Sequence, residues 1–150
     1  MSELIYHQKT AKLIDIENHL LSCDALFTPK LSSYVNIHAY SSKITEKAIT
    51  LEAWHQKKLI GLIAVYCNKN AEAFITNVSI TKTFTGKGIA QKLLIQCIEN
   101  AKTYNTTRIS LEVHKDNANA LSFYKKFGFE IKEQNSKTVN MLYNLEKTNG

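Results

Sequence analysis

Two segments of the 150-residue chain carry residue types suited to binding and processing an anionic ligand. The first is Val78-Ser79-Ile80-Thr81-Lys82-Thr83-Phe84-Thr85-Gly86-Lys87-Gly88-Ile89-Ala90, which joins a strand-like run to a helix-like run. A helix start exposes unpaired N–H groups and a partial positive charge. Gly86 and Gly88 have no Cβ, so the backbone there can turn tightly and approach a ligand, and the small Ala90 lets the first turn come close. Together they suit a pyrophosphate, held by backbone at Thr85, Gly86, Lys87, Gly88, Ile89 and Ala90, with Lys82 and Lys87 adding charge. A loop that merely starts a helix has the same Gly-x-Gly-x-Ala spacing, so the segment does not decide alone. Two phosphate-binding rivals fail on spacing. The Walker A pattern needs four residues between its glycines and a Lys-Ser/Thr after the second. The dinucleotide fingerprint needs a third glycine.

The second segment is Leu111-Glu112-Val113-His114-Lys115-Asp116-Asn117-Ala118-Asn119-Ala120-Leu121-Ser122-Phe123-Tyr124-Lys125-Lys126-Phe127-Gly128-Phe129. On an extended strand Ser110, Glu112 and His114 share one face, and Ile109, Leu111 and Val113 share the other. Glu112 can serve as a base or as a carboxylate that only orients groups. His114 has an ordinary pKa near neutrality and is the second candidate base. Asn117 is placed to cap a helix. Tyr124, seven residues on, is either a proton donor or a core ring.

These segments need a scaffold. A short strand, Leu4 to Lys9, is followed by helical stretches at Ala11–Leu21 and Ser33–Lys47; in the second, Ile37, Tyr40, Ile44 and Ala48 recur at three- and four-residue steps. Strand-like runs follow at Ile49–Trp54, Leu59–Tyr66 and Glu72–Ile80. They are separated by turn-like His55-Gln56-Lys57-Lys58 and Asn68-Lys69-Asn70, short enough for antiparallel hairpins. The clearest helix is Gly88–Tyr104, with Ile89, Leu93, Cys97 and Ala101 every fourth residue. Then come a strand at Thr107–Val113, a helix at Asn117–Lys126 and strands near Glu130–Gln134 and Thr138–Leu145. Strand, long helix and strand make one β-α-β unit, whose crossover joins parallel strands. The fold class is therefore α/β: a mixed, mostly antiparallel sheet with one parallel crossover and helices on both faces, in one domain over residues 1–150.

Both segments, one helix and one strand apart, closely resemble the GCN5-related N-acetyltransferase superfamily. Its glycine loop reads Arg/Gln-x-x-Gly-x-Gly/Ala, and its later motif reads roughly Asn-x-x-Ala-x-x-x-Tyr-x-x-x-Gly-Phe. The match runs in detail from Phe74 to Phe129, with Thr85 standing where the family has Arg or Gln. The resemblance implies the acyl-CoA N-acyltransferase fold and acetyl-CoA as cosubstrate. It places Tyr124 beside the thioester sulfur as the acid, and a backbone N–H of Val78 or Ile80, on a strand that often carries a bulge, at the oxyanion. Asn117 gains a coenzyme contact. The Leu-Glu-Val spacing to Tyr124 is similar to ribosomal-protein alanine N-acetyltransferases, where such a glutamate is the base. That makes Glu112 and Tyr124 the catalytic pair. Transfer to an amine needs a neutral amine, although a free alkylamine has a pKa of about 10.4. It also needs a base, donors for the oxyanion and a proton for the leaving thiolate. No enzyme nucleophile is required.

The acceptor is expected near Tyr34, His38, Tyr40, Trp54 and Tyr66, and as a primary amine of a small molecule such as an amino sugar or a metabolite. A protein N-terminal α-amine is the alternative acceptor, and a non-catalytic acyl-CoA binding module the alternative class. The net charge of +6 is scattered, without a basic stripe, which argues against nucleic acid and is compatible with drawing in a polyanionic coenzyme. Cys23, Cys67 and Cys97 are spaced for neither a disulfide framework nor a metal clip, no histidine shows metal-ligand spacing, and a reducing cytoplasm is the simple reading. No signal peptide or membrane-spanning run is evident. A homodimer is left open.

Overall fold

The computed structural model describes residues 3–67 and 71–145, so the expected turn at Asn68-Lys69-Asn70 lies outside the described residues. Seven strands form one sheet: β1 (Ile5–Gln8), β2 (Ile49–His55), β3 (Lys58–Cys67), β4 (Glu72–Ile80), β5 (Arg108–His114), β6 (Glu130–Gln134) and β7 (Thr138–Asn144). Their order is β1-β2-β3-β4-β5-β7-β6, and β4–β5 is the parallel pair, so the mixed sheet and its crossover are as expected. The helices are α1 (Leu13–Cys23), α2 (Ile37–Lys47), α3 (Ile89–Lys102) and α4 (Ala118–Phe127).

Two cores lie on opposite faces of the sheet. Ile16 and Leu20 of α1 and Ile37 and Ile44 of α2 pack with Leu59, Leu62 and Ala64 on one face. On the other, Leu93, Leu94 and Cys97 of α3 and Tyr124 of α4 pack with Ile63, Val65, Ile109 and Met141. Strand β3 is apolar on both faces because it is covered twice. Gly61 brings α3 close to it: a Cβ there would meet the Ile89 side chain at 3.2 Å and Ile80 at 3.1 Å.

Two helix starts differ from expectation by more than one residue, each for a local polar reason. Helix α1 begins at Leu13 rather than Ala11, because the N–H groups of Thr10 and Ala11 donate to the Glu52 carboxylate at 3.0 and 3.1 Å. That keeps the chain extended, and Asp15 then accepts the Lys12 N–H at 2.9 Å. Helix α2 begins at Ile37 rather than Ser33, because Asn36 Oδ1 accepts the Ala39 N–H at 2.9 Å. The residues before it form short 3-10 turns at Asp24–Leu26 and Leu31–Ser33. The Asp24 carboxylate fixes the second by accepting the N–H and O–H of Ser32, both at 2.7 Å.

Candidate active site

Strands β4 and β5 pair only at their starts, Glu72 with Arg108, Ala73 with Ile109 and Phe74 with Ser110. Beyond Phe74, β4 stays with β3 and β5 stays with β7, so a wedge opens through the sheet. It widens into a cavity of about 910 Å³ lined on one side by Phe74 to Val78 and on the other by Leu111 to Asn117. Phe27, Pro29, Tyr34 and Tyr40 line it from the α1–α2 face, and Tyr124 from the α4 side. The wedge therefore connects the two faces, with Glu112 and Tyr124 entering from opposite sides.

A bulge shapes the β4 wall. Ala64 pairs with Asn77 and Val65 with Ile75, leaving Thr76 as the extra residue. Side chains before and after it obey opposite parity. Ala73, Ile75 and Val78 face the α3–α4 core, whereas Thr76 and Asn77 both face α2. The Thr81 N–H donates to the Ile60 carbonyl at 2.8 Å. By the alternation of an antiparallel ladder, Ser79 and Asn77 also turn their backbone groups to β3. Val78 and Ile80 turn theirs to the opposite edge, which β5 has left. Val78 lines the cavity and Ile80 does not.

The glycine loop follows at the end of β4. Gly86 and Gly88 have φ of +77° and +78°, values open to glycine, and a Cβ on either would meet nothing within 4 Å. The first helical bond of α3 is Lys92 N–H to the Gly88 carbonyl, so the N–H groups of Ile89, Ala90 and Gln91 lie ahead of the ladder. No acidic residue sits in that first turn, and Lys82 and Lys87 are exposed beside it. Open space, free donors and positive charge are a fit for a pyrophosphate. Thr85 is spent locally: its N–H and its hydroxyl both donate to the Lys82 carbonyl, at 3.2 and 2.7 Å. The hydroxyl of Thr85, which stands where the family has Arg or Gln, thus closes a local turn.

Tyr124 is held from several directions. Its carbonyl accepts N–H groups from Gly128 at 3.1 Å and Phe129 at 2.9 Å, a helix end that the φ of +125° at Gly128 permits. Its ring meets Phe123 and Phe129 edge-on at 5.2 and 5.5 Å. No hydrogen bond from the described residues reaches its hydroxyl, although the side chain lines the cavity. Burial, with a smaller contribution from Cys97, pushes the phenol well above its ordinary range, so it is a neutral O–H donor at pH 7. Cys97 is itself pushed up to about 12 by burial and is an inert thiol.

Glu112 is exposed on β5 between buried Leu111 and Val113, and its negative charge helps burial to raise the Tyr34 phenol. His114 Nδ1 lies 3.2 Å from the Asp116 N–H and 3.7 Å from the Asp116 carboxylate. Asn117 Oδ1 caps α4 by accepting the Ala120 N–H at 3.1 Å, and the residue lines the cavity.

Of the aromatics expected at the acceptor, Tyr34 and Tyr40 line the cavity. The other three do not. His38 pairs with Glu17 at 2.7 Å, Trp54 donates to Glu52 at 3.0 Å, and Tyr66 packs in the α1–α2 core with Lys43 over its ring. Alternation along a strand could not separate them, because strand and helix residues alike are apolar on that face. Asn77, Thr76 and Phe27 were missed. Adjacent polar Thr76-Asn77 inside an alternating strand was the available sign of a bulge. Among the described residues, no group of three or more His, Cys, Asp or Glu is arranged to hold a metal ion, and no helix is long and apolar enough to cross a membrane.

A family model for the acetyltransferase (GNAT) family matches residues 14–129, and the chain belongs to that family. It is 33% identical over 65 residues to the spermine/spermidine N(1)-acetyltransferase of Bacillus subtilis, covering 43% of each chain. It is 33% identical over 72 residues to N-alpha-acetyltransferase 30 of Schizosaccharomyces pombe, covering 44% of this chain and 48% of that one. The chain thus spans less than half the length of these relatives. The fold superposes on the PaiA N-acetyltransferase of Thermoplasma acidophilum, solved in complex with coenzyme A. The TM-score is 0.75 at 18% identity, covering 93% of this chain and 99% of that one.

Proposed function

We propose that the protein transfers the acetyl group of acetyl-CoA directly to a primary amine of a small molecule. The observation that carries this reading is the wedge between β4 and β5. A neutral phenol with no hydrogen-bond partner among the described residues and an exposed carboxylate reach one cavity from opposite faces. Acetyl-CoA supplies an activated acyl group, so the protein need only position and move protons. The glycine loop, with Gly86, Lys87, Gly88, Ile89 and Ala90, holds the pyrophosphate, and the Asn117 amide reaches the coenzyme arm. The Val78 N–H, facing the edge that β5 has left, is the donor for the carbonyl oxygen as it gains charge. Ile80, outside the cavity, is the weaker candidate for that role.

Glu112 takes the proton of the incoming ammonium, directly or through water, and the Tyr124 hydroxyl gives one to the departing thiolate. Phe27, Phe74, Tyr34 and Tyr40 line the approach with rings, and the cavity wall carries the carboxylates of Glu112 and Asp116 as well as Lys115 and Lys137; the rings beside Glu112 suit a small cation. The wall formed by Phe27, Pro29 and Tyr34 favours a small acceptor over a long peptide. A protein N-terminal α-amine is the second reading, favoured by the Leu-Glu-Val sequence before Tyr124 and by the likeness to N-alpha-acetyltransferase 30.

Thermal unfolding with acetyl-CoA, and with ATP and NAD as controls, tests the coenzyme. A ligand at 100 times its Kd adds about 2.7 kcal/mol to the folded state. Stabilisation by acetyl-CoA alone is expected. Thiol release with spermidine, glucosamine and a short peptide with a free N-terminus then ranks the acceptors. Absence of both stabilisation and thiol release contradicts the proposal.

A further inference from the structure

A bulge is the weak point of a strand, because its extra residue has no ladder partner and its peptide groups are free to reorient. Here the weakness is sharper, since β5 has left the other edge of β4 and nothing in the sheet holds Thr76 from that side. Helix α2 supplies the missing partner. The Tyr40 hydroxyl donates to the Thr76 carbonyl at 2.7 Å and lies 2.8 Å from Thr76 Oγ1.

The neighbouring residue is held separately. Ser79 Oγ donates to Asn77 Oδ1 at 2.7 Å. Its single proton being spent there, it must accept from His19 Nε2 at 2.9 Å. Burial pushes the Tyr40 phenol up to about 12, offset only in part by Thr76 and Asn77 beside its oxygen. Tyr40 is part-buried, and His19, Ser79 and Asn77 are all buried, so these groups are costly unless paired. Packing alone would be served by phenylalanine at position 40.

We propose that Tyr40 is a positioning residue. Its hydroxyl clamps the β4 bulge at the Thr76 carbonyl, while the His19–Ser79–Asn77 chain clamps the next residue, and together they aim the Val78 N–H into the wedge. The catalytic meaning of the clamp rests on the acetyltransferase reading above.

Amide hydrogen exchange on the full chain tests the clamp without needing the acceptor. In Tyr40→Phe, which keeps the ring, the Asn77 amide should exchange at least tenfold faster, while the α3 amides of Leu93 and Leu94 keep their wild-type rates. Ser79→Ala should move the same amide in the same direction by a smaller factor, and it decides the matter if Tyr40→Phe does not fold. Thr76→Val, which retains the carbonyl, should stay within twofold of wild type. With any amine the wild type acetylates, Tyr40→Phe should lower kcat at least fivefold and leave KM for acetyl-CoA unchanged. An unchanged Asn77 rate in Tyr40→Phe, or a Thr76→Val as disturbed as Tyr40→Phe, overturns the clamp. Calorimetry of the wild type with acetyl-CoA is read separately: failure to bind sinks the enzyme reading and leaves the exchange result to judge the clamp.

Discussion

Tyr124 and Glu112 approach the cavity from opposite faces of the sheet, so each can be altered without disturbing the other's surroundings. The phenol ring is fixed by Phe123 and Phe129, contacts that Tyr124→Phe leaves in place. That substitution should lower turnover at least tenfold with little change in acetyl-CoA affinity, measured by steady-state kinetics and calorimetry. Unchanged turnover would remove Tyr124 from the mechanism. Glu112→Gln should also lower turnover at least tenfold near pH 7, and the deficit should shrink as the pH approaches the amine's own pKa, about 10.4 for an alkylamine. A deficit constant with pH would mean that Glu112 orients the acceptor and does not deprotonate it. At this scale the sequence was informative on placement: Gly86 and Gly88 take positive φ, Asn117 caps α4 and Tyr124 lines the cavity. It was silent on single local hydrogen bonds. Nothing in the order of residues says that His114 Nδ1 meets the Asp116 N–H, or that the Thr85 hydroxyl closes a turn.

Elements place these groups, and the glycine loop shows how. Gly88 is the residue before α3 at φ +78°, and Gly61 lets the first residue of that helix settle on β3. Gly88→Ala should cost roughly 1 kcal/mol through backbone strain alone, with open space around the new methyl. Gly88→Glu adds a negative charge where the coenzyme's pyrophosphate is proposed to lie, and should weaken acetyl-CoA at least tenfold by calorimetry. If Gly88→Glu binds as Gly88→Ala does, the loop is not the phosphate site. The helices and strands were legible because their periods of 3.6 and 2 survive in the sequence. Their starts were less so. Helix α1 is delayed by Glu52, more than forty residues away in sequence, and such a cap leaves no local mark. The β4 bulge likewise appears as a pair of polar neighbours whose meaning depends on what β5 does.

Across the whole molecule, two buried titratable groups tie α1 to the sheet, and both make stability depend on pH in the same direction. His19 is 1% exposed. Burial lowers its pKa from 6.5 to about 4, against weaker support from carbonyls of Ser79 and Leu59. The folded chain therefore refuses a proton that the unfolded chain accepts. The stability this represents is complete above pH 6.5 and is lost as the pH falls toward 4, a change on the order of 3 kcal/mol. Against a typical total of about 5–15 kcal/mol, that is a large fraction. Glu52 acts lower on the scale. Burial works against its charge, but donors from Thr10, Thr50, Ala11 and Trp54 outweigh it and hold the carboxyl below its ordinary value of 4.5. Its contribution is present above pH 4.5 and disappears below. Urea unfolding at pH 7.5, 5.5 and 4.5 should show falling stability in the wild type and a flatter profile in His19→Gln, which cannot titrate. Equal slopes in the two proteins would mean that His19 is protonated, or solvated, in the folded state. In that case the bond from His19 Nε2 to Ser79 Oγ would keep its direction, since a charged imidazole donates from both nitrogens, and His19 would not be the group that makes stability fall with pH.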